Sequence, residues 1–250
     1  MRVQFLAGDD MIWGGNDGRI ARWSSAAGGS TVAAFAQPIA SLALSPRDHA
    51  VAVALADGAL SLVTLDGAIR SLPPPSAGRA RVLAISRDGR WLAAGTSDGV
   101  VAIYDTRSGR ASTALRTSGA IRNIAMSPGG DMIAVATTAG EVHLARPAAG
   151  AAGPAWDAAR MTWTSFAAQP RDLAFTPTGD LLMISCGDGV VWFYAPASNR
   201  WLYHPTGVAS ITAIRPADDG RTAATGDSAG RLMTFDLAAV REALAGRAAP

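Results

Sequence analysis

Three histidines and one cysteine are the residues of this chain best suited to metal binding or nucleophilic chemistry. The histidines His49, His143 and His204 are far apart along the chain, and no two of them have the spacing of metal ligands. Cys186 has no histidine near it in sequence and is predicted to be a packed thiol. The sequence therefore predicts no metal, no cofactor and no catalytic centre.

The glycine-rich segment GGNDG at residues 14–18 is the one stretch that resembles a phosphate-binding loop. It opens a strand rather than a helix, so it lacks the helix dipole that binds phosphate. We interpret it as a tight hairpin turn. No G-x-S-x-G elbow is present either, and these observations favour a protein that is not an enzyme.

The charge of the chain gives little reason to expect a nucleic-acid partner. All 22 basic residues are arginine and the net charge is +2; the absence of lysine indicates a GC-rich genome. No clustered basic stripe is present. The N-terminus reaches Asp9 and Asp10 before an apolar segment can form, and no run approaches the ~18 apolar residues of a membrane span. A cytoplasmic location without membrane insertion is the expectation.

A repeat of about 40 residues dominates the sequence. A turn that ends in glycine recurs at intervals of 40, 41, 41, 49 and 41 residues. The position four residues before this glycine is always small, the position two after it is aliphatic, and the position five after it is mostly aromatic. The six repeat glycines are Gly18, Gly58, Gly99, Gly140, Gly189 and Gly230.

Each repeat reads as four short strands separated by turns. Four strands of about six residues with short turns need roughly 40 residues, which matches the period. This pattern is typical of propeller blades and predicts an all-β propeller of about six four-stranded blades. The predicted blades are residues 1–36, 37–77, 78–117, 118–168, 169–206 and 207–236, followed by residues 237–250 as a short helix or a closing strand and tail.

Two stretches carry a family resemblance. LAISRDGRWLAAGTSDGVVAIYD and IAMSPGGDMIAVATTAGEVHL resemble WD repeats, of the divergent bacterial type, and the aromatic-aspartate ending survives as Tyr104-Asp105 and Phe235-Asp236. The resemblance implies a protein-protein interaction scaffold. The Gly-His pair of the family is missing from every copy, so the buried network of the family cannot form. The turn aspartates Asp17, Asp57, Asp98 and Asp188 are predicted to be structural caps of their turns.

The innermost strands offer a candidate binding surface. Two positions before the turn, these strands carry Ala43, Ala84, Ala125, Ala174 and Ala213, a column that fits a crowded centre. The same strands begin with Ala40, Arg81, Arg122, Arg171 and Ser210. In WD propellers this position opens on the top face, which implies an arginine arc flanked by Asn123 and Asp172 that binds an acidic peptide or partner protein. The alternative is a set of ordinary solvated arginines.

The long interval lies at residues 146–166. We predict an Ala/Gly/Pro loop followed by MTWTSF as the outer strand of blade four. Trp156 falls inside this loop, where an exposed aromatic is a candidate partner anchor. The alternative is that it folds back on its own blade.

The end of the last blade is predicted to be open. LAAVREALAG looks like a helix with Asp236 as N-cap and Gly246 as terminator, which leaves the blade without an outer strand. Some six-bladed members of the family are closed by a blade from a partner, so an accessory subunit completed by a larger complex is the alternative function. A propeller hydrolase is less favoured, because only Asp172 is expected near the channel.

Overall fold

Short runs of aliphatic and β-branched residues, each ended by a glycine- or aspartate-containing turn, form strands throughout the chain. The computed structural model describes residues 2–5, 10–45, 50–147, 156–163 and 166–246. Within these ranges the chain forms 23 strands and one helix, arranged in six antiparallel sheets whose strands follow chain order. The architecture is a β-propeller, as the repeat predicts, and each sheet is one blade.

The first three blades have four strands each. Blade one contains β1 (Arg2–Phe5), β2 (Met11–Gly14), β3 (Arg19–Ser24) and β4 (Gly28–Ala34). Blade two contains β5 (Ile39–Leu44), β6 (Ala50–Leu55), β7 (Leu60–Thr64) and β8 (Ile69–Leu72). Blade three contains β9 (Ala80–Ile85), β10 (Trp91–Thr96), β11 (Val100–Asp105) and β12 (Ala111–Arg116).

Blades four and five also have four strands, whereas blade six has three. Blade four contains β13 (Ile121–Met126), β14 (Ile133–Thr137), β15 (Val142–Pro147) and β16 (Trp156–Trp163). Blade five contains β17 (Pro170–Phe175), β18 (Leu182–Cys186), β19 (Val190–Ala195) and β20 (Arg200–Pro205). Blade six contains β21 (Ile211–Pro216), β22 (Thr222–Asp227) and β23 (Leu232–Asp236), and the helix α1 (Leu237–Gly246) follows it.

The repeat glycine marks the turn between the second and third strand of each blade because the backbone there adopts a positive φ. At Gly189 φ is +79°, and a Cβ would lie 1.8 Å from the carbonyl oxygen of Val208. No other residue type fits that position. The other five repeat glycines also have positive φ, and they are Gly18, Gly58, Gly99, Gly140 and Gly230.

The core consists of apolar layers between consecutive blades. Because side chains alternate across a strand, each blade sends one set toward the preceding blade and the other toward the next. Five buried clusters result, one at each interface from blades one and two through blades five and six. Among the described residues, no sixth cluster joins blade six to blade one.

The helix is the last described element of the chain, and it packs against blade five. Asp236 accepts a hydrogen bond from the backbone N–H of Ala238 at 2.8 Å, which is the geometry of an N-cap. Leu237, Val240 and Leu244 are buried in the cluster between blades five and six. Residues 237–246 are therefore helix rather than a closing strand, and within the described ranges blade six has three strands.

The outer strand of blade four begins earlier than the sequence predicts. Residues 148–155 of the long interval lie outside the described residues, as do residues 164 and 165. The strand starts at Trp156 instead of Met161, because β15 continues to Pro147 and pairs there with Trp156.

Candidate partner-binding site at the channel mouth

The innermost strands of the blades surround a central cavity of about 650 Å³. Blades two to six each contribute a stretch of their innermost strand to its wall, and Val3 of blade one also lines it. The wall is mostly small and aliphatic, and the predicted alanine column is part of it. The lining alanines are Ala43, Ala84, Ala125, Ala174 and Ala213.

Arg122 is held at the cavity wall by a contact with the next blade. Its Nη2 donates to Oε1 of Gln169 at 3.2 Å, and the Gln169 side chain donates in turn to the carbonyl oxygen of Thr138 at 3.0 Å. Arg122 Nε is buried and has no hydrogen-bond partner, the single such side-chain atom found within the described ranges. A buried N–H without an acceptor is costly, so Arg122 is the side chain of this wall whose hydrogen bonding is incomplete.

The other two predicted arginines differ in position. Arg171 lines the cavity and is exposed, with its guanidinium close to Gly187 in the top turn of its own blade. Arg81 is exposed at the start of β9 and is not part of the cavity wall. The structure therefore brings Arg122 and Arg171 together at the cavity and leaves Arg81 beside it.

Asn123 and Asp172 connect three blades. Asp172 is only 4 % exposed and accepts hydrogen bonds from the Asn123 side chain at 2.6 Å and from the backbone N–H of Ile214 at 2.9 Å. Arg215 Nη1 also donates to Asp172, at 2.5 Å. The network bonds blade four to blade five and blade five to blade six, which gives both residues a structural task.

Arg215 is a residue of this site that the repeat alignment missed. The strand register pairs Arg215 with Ala224 and Ala174 with Met183, at the same distance from their repeat glycines. Blade six is thus shifted by two residues relative to the predicted column: Arg215, not Ala213, matches the channel alanine. The error arose because Ala217 stands where the other blades have the turn serine or threonine, so the sequence offered no hydroxyl to align on.

The turn aspartates are mostly bonded to local backbone. Asp17, Asp57 and Asp188 each accept a hydrogen bond from the backbone N–H two residues later, at 3.1, 2.9 and 3.1 Å. Asp98 instead accepts from the Ser97 hydroxyl at 2.9 Å. These contacts are structural, and they lie in the turns that rim the top face.

Trp156 is buried rather than exposed. It is 8 % exposed and belongs to the cluster between blades three and four. The expectation of an exposed aromatic anchor in the insertion is therefore corrected: pairing of Trp156 with Pro147 turns the side chain into the core, where its apolar surface leaves water.

The described histidines and the cysteine have separate surroundings. His143 is buried and its Nε2 lies 3.0 Å from Oε2 of Glu141, and the hydrogen bonds from His143 and Ser118 lower the pKa of Glu141. Burial raises the pKa of the Cys186 thiol to about 12. His204 lies on β20 with its ring against Phe235, and His49 lies outside the described residues.

Neither a metal-binding cluster nor a membrane-spanning helix occurs among the described residues. They contain no group of three or more histidine, cysteine, aspartate or glutamate residues that could hold a metal ion. Of the helical segments that the structure describes, none is both long enough and apolar enough to cross a membrane.

Comparisons with known proteins agree with the architecture. The family profile "WD domain, G-beta repeat" matches residues 68–105. The structure is similar to the crystal structure of the Cps50 (Swd1) β-propeller domain of Myceliophteria thermophila, with a TM-score of 0.73 and 16 % identity over 91 % of this chain and 79 % of that one. No curated protein matches the sequence. One repeat-length segment thus matches the WD-repeat profile, and the chain as a whole shares the β-propeller fold of the Cps50 (Swd1) domain.

Proposed function

We propose that this protein is a non-catalytic scaffold that binds an acidic segment of a partner protein at the mouth of the central channel. WD-repeat propellers typically serve as protein-interaction scaffolds. The observation that carries the proposal is the buried, unpaired Nε of Arg122 on a cavity wall shared with Arg171 and Arg215. Three guanidinium groups against the single carboxylate of Asp172 leave this wall positively charged.

An acidic side chain suits this site better than an uncharged ligand. A guanidinium offers planar, paired donors that match the two oxygens of a carboxylate. Arg122 already uses Nη2 on Gln169, and its Nε remains to be satisfied. A glutamate or aspartate entering from the top face would accept from Arg122 and stay within the field of Arg171.

The test uses a fluorescein-labelled deca-glutamate peptide as the probe. The triple variant Arg81→Glu, Arg122→Glu, Arg171→Glu should bind it at least about tenfold more weakly than the unchanged protein in fluorescence anisotropy, since it loses charge-assisted hydrogen bonds and gains repulsion.

The matched control reverses the same number of charges on the opposite face. The antiparallel order of β9 to β12 places Arg87, Arg107 and Arg110, all exposed, at the other ends of the strands. Their replacement by glutamate should leave binding within about twofold, because exposed charges this far away are screened. Equal weakening by both triple variants would show a nonspecific charge effect and contradict the proposal.

A second candidate function follows from blade six. β23 is the last strand of a three-stranded sheet, and α1 turns away from it toward blade five. No described strand pairs with its outer edge, whose backbone groups a partner strand can join. An accessory subunit completed in this way should self-associate when purified alone, as measured by sedimentation velocity over a range of concentrations. A monodisperse monomer at every concentration would argue against it.

A further inference from the structure

Arg122 is less exposed than the two other arginines that stand at the same repeat position. Arg81, Arg122 and Arg171 occupy this position in blades three, four and five, and Arg81 and Arg171 are exposed whereas Arg122 is half-buried. The connections that follow these three blades differ two residues before the equivalent position of the next blade. The residues found there are Ala120, Gln169 and Val208. Of these three side chains, only the amide of Gln169 can accept a hydrogen bond from an arginine.

The backbone of Gln169 is fixed at two points. Its carbonyl oxygen accepts a hydrogen bond from the N–H of Gly187, in the top turn of blade five, at 3.0 Å. Pro170 follows Gln169 directly, and the residue before a proline is confined to extended backbone conformations. Gln169 therefore extends its side chain from a rigid position on blade five to blade four, where both of its hydrogen-bond partners lie.

The side-chain amide of Gln169 has one possible orientation. A backbone carbonyl oxygen can only accept hydrogen bonds, so Nε2 must face Thr138 and Oε1 must face Arg122. Arg122 Nη2 donates to this Oε1, while its buried Nε has no partner. Gln169 thus takes one donor of the guanidinium group, fixes the direction of the group, and leaves Nε for a ligand.

We propose that Gln169 is a positioning residue that makes Arg122 the principal anchor for a ligand carboxylate and so sets the affinity of the channel mouth. The inference rests on the proposed function, since it concerns the same site. Immobilising a long side chain on binding lowers the affinity by about two- to tenfold. An arginine that Gln169 already holds avoids this loss, whereas the exposed Arg81 and Arg171 do not.

Single arginine variants test which guanidinium group is the anchor. Arg81→Gln, Arg122→Gln and Arg171→Gln are each titrated with the fluorescein-labelled deca-glutamate peptide in fluorescence anisotropy. Arg122→Gln should weaken binding by about tenfold or more, because it removes oriented, charged hydrogen-bond donors. Each of the other two should weaken it by about threefold or less. An equal loss in all three variants would show that the arginines act only through their summed charge, and would overturn the inference.

A double-mutant cycle tests whether Gln169 acts through Arg122. Gln169→Leu removes both hydrogen bonds of the amide and keeps a side chain of similar size. It should weaken binding of the same peptide by about three- to tenfold. When Arg122→Gln is already present, Gln169→Leu should change binding by less than about twofold, because no guanidinium group remains to be positioned. Equal weakening in both backgrounds would contradict the proposed role.

Gln37→Leu is the matched control for this cycle. Gln37 is an exposed glutamine in the connection between blades one and two, and its replacement should leave the peptide affinity within about twofold. Urea unfolding of Gln169→Leu should give an unchanged midpoint, because Thr138 is exposed and water can donate to its carbonyl oxygen in place of the amide. A midpoint that falls together with the affinity would make Gln169 a structural residue and overturn the inference.

Nuclear magnetic resonance of the arginine side chains observes the positioning directly. The Nε–H signal of Arg122 is identified by its loss in Arg122→Gln. Unlabelled deca-glutamate should shift this signal in the unchanged protein, and in Gln169→Leu the same N–H should exchange faster with water before peptide is added. If Arg122→Gln leaves peptide binding unchanged, the channel-mouth proposal itself fails. If Arg122→Gln weakens binding but Gln169→Leu changes neither the affinity nor this signal, only the role of Gln169 is wrong.

Discussion

Asp172 is the residue on which three blades converge. Its Oδ1 accepts hydrogen bonds from the Asn123 side chain of blade four and, at 3.0 Å, from the backbone N–H of Leu173. Its Oδ2 accepts from the backbone N–H of Ile214 and from Arg215, both in blade six. A buried carboxylate is tolerated only when its oxygens are satisfied in this way. The carboxylate of Asp172 thus holds the three blades together beside the cavity. The guanidinium donors that remain at the channel mouth belong to Arg122 and Arg171.

Replacement of Asp172 by alanine should destabilise the protein strongly. The change leaves the Ile214 N–H and the Asn123 amide without their acceptor, which costs about 2–3 kcal/mol of unfolding free energy. Urea unfolding followed by tryptophan fluorescence measures it. Asp57→Ala, which removes a carboxylate from an exposed turn, is the control and should cost about 1 kcal/mol or less. Equal losses in the two variants would contradict the network role of Asp172.

At the scale of elements, α1 is fastened at three points. Asp236 caps its N-terminus, and Arg200 donates to the carbonyl oxygens of Leu244 and Ala245 at 2.7 and 3.0 Å near its C-terminus. Arg241 Nε donates to Oδ2 of Asp180 in blade five at 2.6 Å. The helix therefore packs on the flank of blade five, and none of the described strands pairs with the outer edge of β23.

The contact between Arg241 and Asp180 should make the docking of α1 sensitive to acid. Partial burial raises the pKa of Asp180, but hydrogen bonds from Arg241, Thr176 and Thr178 outweigh this and hold the pKa well below its usual range. A carboxyl whose folded pKa is depressed stabilises the fold above its unfolded value, about 3.9, and loses that contribution as the pH falls below it.

Arg241→Gln should accordingly lower the unfolding free energy by about 1 kcal/mol at pH 7, a value discounted because the pair is about one-third exposed. The difference from the unchanged protein should shrink as the pH falls below about 4. Urea unfolding at a series of pH values measures both. Glu242→Gln, at the next and exposed position of the helix, should show no such trend; a constant difference for Arg241→Gln at all pH values would refute the assignment.

Across the whole molecule, burial decreases toward the two terminal blades. In blades two to four, each second and third strand has four or five buried residues, whereas β23 and β3 have one each. Each inner blade is covered by neighbours on both faces, and each terminal blade by a neighbour on one. Local stability should follow the same order, because it depends on how many apolar contacts each blade makes.

One repeat position measures this difference directly. Leu60→Ala in blade two should lower the unfolding free energy by about 2–5 kcal/mol, because it empties a closely packed site. Leu232→Ala, the same substitution at the same repeat position of blade six, should change it by less than about 0.5 kcal/mol. Both are measured by urea unfolding of the protein alone. A cost at Leu232 comparable to that at Leu60 would mean that Leu232 is covered in solution, and would contradict the burial order of the blades.

The repeat pattern alone predicts most of the architecture. A glycine that needs a positive φ, with small, aliphatic and aromatic residues at set distances from it, is a local signal, and local signals specify strands and turns. The C-terminal helix with its Asp236 cap is readable for the same reason. The repeat register predicts the candidate site in part. It places Arg122 and Arg171 at the cavity, but it also places Arg81 there, which lies beside the wall, and it does not indicate Arg215, because blade six lacks the turn hydroxyl that aligns the other copies.

The propeller and its glycine-marked repeat can thus be derived from local sequence signals. The burial of Trp156, the bonds that Asn123 and Asp172 make to neighbouring blades, and the exposure of Leu232 but not of Leu60 are visible only in the folded chain. These properties depend on what lies across a blade interface. Leu60 and Leu232 are the same residue type at the same repeat position, so nothing local distinguishes them, and the presence or absence of a neighbouring blade makes the difference.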